Sequence, residues 1–123
     1  MTINLNKRAY ARAQRRIDEG KAVLDDRDAW GEHRPTAQAE NDFIREHGFA
    51  EYQTWFLGVD DEEAEGTKSR YKFPYGDLEQ VHRCGVLSAE SRAAQYKHLD
   101  IEVAAAHLHG MLDQLLRAQK GLP

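Results

Sequence analysis

The chain has 123 residues, of which 41% are hydrophobic and 31% are charged, and it holds one cysteine. This length suits one domain with a modest core, and the apolar fraction argues against disorder throughout the chain. One cysteine excludes an internal disulfide, and no apolar run nears the roughly 20 residues that a membrane-spanning helix needs. With no apolar leader at the start, we expect a cytoplasmic protein that does not enter a membrane.

The net charge of -4 is unevenly distributed along the chain. Residues 35–66 hold nine Asp/Glu and only Arg45 as a base, whereas each flanking part holds eight Lys/Arg against six Asp/Glu. An acidic band therefore lies between two mildly basic parts. This pattern is not typical of a protein that binds nucleic acid over its whole surface.

The first predicted helix runs from about Lys7 to Leu24, with Asn6 as its N-cap. Its apolar residues recur at steps of three and four but are mostly small, so the helix needs a partner surface. We expect residues 1–35 to form a basic helix and a linker, either packed on the rest or partly free. Residues 36–123 are expected to form a compact domain.

Two aromatic and β-branched segments, Tyr52–Val59 and Tyr71–Phe73, are the strand candidates. They can pair as a hairpin across an acidic loop, and the proline at position 74 ends the second strand or places it at an edge. Two strands alone are marginal in water, so helices must cover one face. A helix that Thr36 caps and Gly48 closes is predicted before them.

The last part of the chain is predicted to be helical. Asp77 and Gln80 form a capping-box-like start for a short helix ended by Gly85, and Ser88 can cap another. The clearest helix starts at Asp100 and carries a broad apolar face. That face comprises Ile101, Ala104, Ala105, Leu108, Met111, Leu112, Leu115 and Leu116. We therefore predict a helix-rich α+β fold, with a short antiparallel β pair covered by a long C-terminal helix and shorter helices.

Three places could hold chemistry. Cys84 could be a nucleophile with His82 as its base, but residues two apart point to different sides of a helix or strand. His107 and His109 are about 200° apart on a helix, so with His98 they lack a chelating spacing. The acidic loop at 60–65 lacks the spaced ligands of a calcium loop. We therefore predict polar groups scattered over the surface, with no catalytic, cofactor-binding or metal-ligating residue and no cofactor.

The missing catalytic constellation and the clustered aromatics favour a small non-enzymatic protein-interaction or assembly module. Its partner and oligomeric state stay open, and the candidate contact surface is formed by Trp55, Tyr71 and Tyr75. The alternative is nucleic-acid contact through a basic N-terminal stripe, which could equally dock on the chain's own acidic band. The stripe consists of Arg8, Arg12, Arg15 and Arg16. A thiol-dependent enzyme using Cys84 and a histidine is the second alternative.

Several segments between residues 50 and 115 together carry a resemblance. They are Tyr71-Lys72-Phe73-Pro74-Tyr75-Gly76-Asp77, Val81-His82-Arg83-Cys84-Gly85 and Ala104-Ala105-Ala106-His107-Leu108-His109. This part of the chain resembles a family of small bacterial proteins with no assigned function. The order of these segments is also similar to small modules beside phage head-maturation proteins. That second resemblance implies a binding or assembly role and no catalytic residues.

Overall fold

The computed structural model describes residues 2–121 and has the predicted helix-rich α+β fold. The elements in chain order are β1 (Ile3–Leu5), α1 (Lys7–Asp18), β2 (Ala22–Val23), α2 (Trp30–His33), α3 (Ala37–Tyr52), β3 (Phe56–Asp60), β4 (Tyr71–Pro74), β5 (Val81–His82), α4 (Arg83–Gln95) and α5 (Leu99–Gln119). Short 3-10 turns lie at Arg27–Ala29, Gln53–Trp55 and Lys68–Arg70. None of the helices in this range is both long and apolar enough to cross a membrane.

The main sheet has three antiparallel strands in the order β1-β3-β4. The predicted hairpin is confirmed, with Gly58 opposite Lys72, although β3 starts at Phe56. Its predicted first residue, Tyr52, ends α3 instead. Strand β1 was not predicted, because a strand of three residues is too short to show an alternating pattern. A separate pair joins β2 and β5 in parallel, with Val23 opposite His82.

The N-terminal helix is part of the core. Asn6 accepts a hydrogen bond from the Ala9 N–H, as a cap should, and Ala9, Ala13 and Ile17 are 2% exposed or less. Because these small residues let α1 lie close to the sheet, the loose packing considered for residues 1–35 does not apply to α1. The helix ends earlier than predicted, near Gly20, whose φ of 77° suits glycine.

The C-terminal helix buries the predicted face, with Ile101, Ala105, Leu108 and Leu112 at 0% exposure. It packs mainly on α4. One helix, α4, replaces the two short helices predicted from Asp77 and from Ser88. Asp77 does not start a helix, because its side chain accepts from the backbone N–H groups of Glu79 and Gln80 and forms a turn. The helix then begins at Arg83 and runs through the predicted stop to Gln95.

Gly85 marks a close approach inside α4. A Cβ at this position would lie 2.7 Å from the Tyr75 carbonyl oxygen and 2.8 Å from the Trp30 ring. We expect Gly85→Ala to destabilise the protein by about 1–3 kcal/mol, although alanine is the better helix former. Gly110→Ala in α5 is the matched control, since nothing lies within 4 Å of its Cβ position.

For the control we expect stabilisation by up to about 1 kcal/mol, from helix propensity alone. Urea unfolding of both variants measures the difference. Stabilisation of both variants alike would contradict the close approach at Gly85.

Candidate metal centre

Four side chains of different chemistry meet at one point, and the Asp25 carboxylate is their hub. Its Oδ2 atom lies 2.7 Å from Nδ1 of His33, 2.7 Å from Nδ1 of His82 and 3.1 Å from Sγ of Cys84. The Cys84 sulfur is also 3.8 Å from Nδ1 of His33. One ligand atom from each of the four residues lies within 4.8 Å of all the others.

A second carboxylate orients the His82 ring from behind. Nε2 of His82 lies 2.8 Å from Oδ2 of Asp77, while Nδ1 faces the cluster. Burial lowers the pKa of His82, but its hydrogen bonds to Asp25 and Asp77 outweigh this effect and raise that pKa. A histidine held by a carboxylate through its outer nitrogen is the usual arrangement of a metal-ligating imidazole.

The thiol has an unfavourable environment for ionising without a cation. Cys84 is fully buried, and burial together with the neighbouring Asp25 carboxylate raises its pKa to about 12. Burial also opposes ionisation of Asp25, but hydrogen bonds from the Cys84 amide, His82, the thiol and His33 lower the pKa of Asp25 to about 2. The negatively charged Asp25 carboxylate therefore lies beside the Cys84 thiol, which would add a second negative charge if it ionised.

Chain topology explains how residues distant in sequence meet here. The parallel pairing of β2 with β5, together with a hydrogen bond from Val81 N–H to the Lys21 carbonyl, brings the segment after β2 to the start of α4. There Asp25 accepts from the Cys84 backbone N–H at 2.8 Å and so caps the helix. His33 comes from the end of α2.

The cluster corrects the expectation that polar groups stay scattered. His82 ends β5 and Cys84 lies in the first turn of α4, so the rule for residues two apart within one element does not apply. The strand-to-helix junction turns both side chains toward Asp25. Asp25 and His33 were not predicted, and the sequence signal for the centre was the His82-Cys84 pair.

The other predicted histidines do not join this cluster. His98 packs edge-on against Phe73, and His107 meets the hydroxyl of Tyr10. His109 is held by Glu90 at 2.9 Å and by an aspartate one turn along its own helix.

The predicted protein-contact surface is wrong for two of its three residues. Trp55 is 3% exposed and Tyr75 is fully buried, while Tyr71 is half-buried. The Tyr75 hydroxyl donates to the Thr54 carbonyl, and Arg16 stacks on the Trp55 ring at 3.7 Å. The face that was expected to stay bare is covered by α1.

The basic stripe is divided between surface and internal contacts. Arg8 and Arg15 are exposed, but Arg12 forms a two-bond pair with Glu51 at 3.0 and 3.2 Å. Arg16 donates to the Tyr75 hydroxyl. Arg12 thus docks on the chain's own acidic band, the alternative use considered for the stripe, whereas Arg16 packs against neutral side chains.

The donor set of the cluster fits a transition metal. Thiolate, imidazole and carboxylate are the ligands of Zn²⁺, at about 2.0–2.3 Å, which puts neighbouring ligand atoms about 3.3–3.6 Å apart in a tetrahedron. The three contacts of Asp25 Oδ2 are shorter than this spacing and the contact between Cys84 Sγ and His33 Nδ1 is slightly longer, while all four ligand atoms lie within 4.8 Å of one another.

Comparison with protein-family models, with curated proteins and with solved structures gives no match for this chain. Evidence for a function therefore comes from the residues of the metal centre.

Proposed function

We propose that the protein binds one transition-metal ion, with Zn²⁺ preferred, through Asp25, His33, His82 and Cys84. The observation that carries the proposal is the convergence of four donor atoms from two distant chain segments within 4.8 Å. Asp77 holds His82 in the ligating orientation. A dication would neutralise the carboxylate and stabilise the thiolate that burial otherwise disfavours.

The role we propose for the ion is structural. Four protein ligands fill a tetrahedral shell, whereas catalytic zinc sites keep one position for water or substrate. Asp25 and His33 lie within the segment that links β2 to α3, and His82 and Cys84 lie at the junction of β5 and α4. The ion would therefore fasten the linker to the body of the fold, in keeping with a non-enzymatic module.

The geometry favours metal binding over thiol catalysis. A cysteine nucleophile needs a lowered pKa and access for substrate, whereas Cys84 is fully buried and its pKa is raised. Nδ1 of His33 is 3.8 Å from the sulfur and also lies 2.7 Å from Asp25. The Asp25 carboxylate, at 3.1 Å from the sulfur, opposes ionisation of the thiol.

The proposal is tested by metal titration of the full chain without a histidine tag. We expect one Co²⁺ per chain, with a thiolate-to-cobalt charge-transfer band and the intense visible bands of tetrahedral coordination, and displacement by Zn²⁺. Excess Zn²⁺ should raise the unfolding free energy, by about 2.7 kcal/mol when free zinc is 100 times the Kd.

Matched variants separate this centre from adventitious histidine binding. Cys84→Ser should abolish the charge-transfer band, and Asp77→Asn should weaken zinc binding by roughly 10–100-fold. His107→Gln, which removes a histidine outside the cluster, should leave the affinity unchanged. A cobalt complex without a thiolate band, or equal losses in Cys84→Ser and His107→Gln, would overturn the proposal.

A further inference from the structure

A second candidate site is a groove of about 610 Å³ that Trp30 lines. Its walls come from β4, α3 and α4 and are largely aromatic and aliphatic, including Phe56, Tyr71, Phe73 and Tyr96. Volumes of 300–1,000 Å³ with mostly apolar walls and a few polar groups are typical of small-molecule sites. We call this feature the aromatic groove.

The charge around the aromatic groove is mostly positive. Arg34, Lys68, Lys72 and Arg92 line it, with Glu40 as the one lining carboxylate. Glu40 already pairs with Lys68 at 3.3 Å and accepts from a tyrosine hydroxyl. Among residues 2–121, no carboxylate pairs with Arg34, Lys72 or Arg92. Three cations therefore border an apolar floor without an ion-pair partner among the described residues.

Two further features bear on how the groove could hold a ligand. Tyr96 on its edge is 58% exposed, so its ring is accessible to a bound molecule. Phe73 has a φ of 63° although it precedes a proline, and a bulky residue at positive φ is a genuine outlier. Backbone strain of this kind clusters at ligand-binding sites.

We propose that the aromatic groove binds an organic anion with a planar apolar body, which stacks on Tyr71 and Tyr96 while Lys72 and Arg92 hold its charged group. The groove is complementary to such a ligand in polarity and charge. Its apolar floor contacts the apolar body of the ligand, and the unpaired cations make charge-assisted hydrogen bonds to a carboxylate, sulfonate or phosphate. Lys72 and Arg92 lie outside the metal-binding segments, so this proposal can be tested independently of metal binding.

The test uses 1-anilinonaphthalene-8-sulfonate, a fluorescent planar anion, with the folded full chain. We expect one saturable site, an affinity that falls as salt is raised, and binding at least about tenfold weaker for uncharged N-phenyl-1-naphthylamine. Lys72→Gln/Arg92→Gln should weaken the anionic probe at least about tenfold, because two charged donors are lost. Tyr96→Ala should weaken both probes, because it removes a stacking surface.

The control is Lys7→Gln/Arg117→Gln, which removes the same charge from exposed positions outside the groove and should leave the affinity unchanged. Competition then separates the sources of the anion: displacement by naphthoate indicates a carboxylate ligand, and displacement by adenosine monophosphate indicates a phosphate ligand. Equal binding of the charged and uncharged probes, equal losses in both double variants, or no displacement by either competitor would overturn the proposal.

Discussion

Replacing Leu108 by alanine is expected to lower the free energy of unfolding by about 2–5 kcal/mol. Leu108 is fully buried on the apolar face of α5, within the single core that also contains Phe56, Val86 and Ile101. The loss combines the transfer energy of the removed methyl groups with the cavity that a close-packed interior leaves behind. Urea unfolding monitored by circular dichroism measures it.

The control for this core substitution lies on the same helix. Leu99 is 69% exposed, so Leu99→Ala makes the identical chemical change without opening a cavity. We expect an effect within about 0.5 kcal/mol, as for most surface substitutions. If Leu108→Ala melted like Leu99→Ala, α5 would not be packed on the sheet as the structure has it.

Asp25→Asn is expected to cost about 3–5 kcal/mol even with a chelator present, because it breaks a buried charged network. The Asp25 side chain is 9% exposed and its two oxygens accept from the Cys84 amide, the thiol, His33 and His82. An amide has one oxygen, so its NH₂ group must face donors on one side. His82 is then left beside Asp77 alone.

The neighbouring aspartate supplies a matched control for this variant. Asp26 is exposed, and in residues 2–121 its side chain makes no hydrogen bond or ion pair, so Asp26→Asn should change stability by less than about 0.5 kcal/mol. Unfolding should be followed by tryptophan fluorescence, because Trp30 lies 6.5 Å from the His82 ring. Asp25→Asn with wild-type stability in the chelator would mean that the cluster does not hold the linker.

The predictable parts of the fold were those with a strong local pattern. The apolar repeat that includes Leu108 and Leu112 correctly placed α5 in the core, and the aromatic segments around Phe56 and Tyr71 correctly gave the hairpin. Errors came where local signals compete. Asp77 caps a turn instead of a helix, since an aspartate satisfies either with the same hydrogen bonds.

The candidate site was less predictable than the fold. His82 and Cys84 were considered because of their residue types, but Asp25 lies in a linker and His33 ends a single helical turn. Neither carries a periodic signal. Their partnership depends on β2 lying parallel to β5, a pairing of two residues on each side that no sequence pattern specifies.

Local sequence patterns placed the apolar face of α5 in the core and paired β3 with β4, because burial of apolar side chains follows the period of each element. The three-dimensional fold was needed to show that an aspartate, two histidines and a thiol meet at one point, and that α1 covers Trp55 and Tyr75. Such meetings depend on how chain segments are joined in space. Contacts between residues 50 or more positions apart leave no mark on the local spacing of either partner.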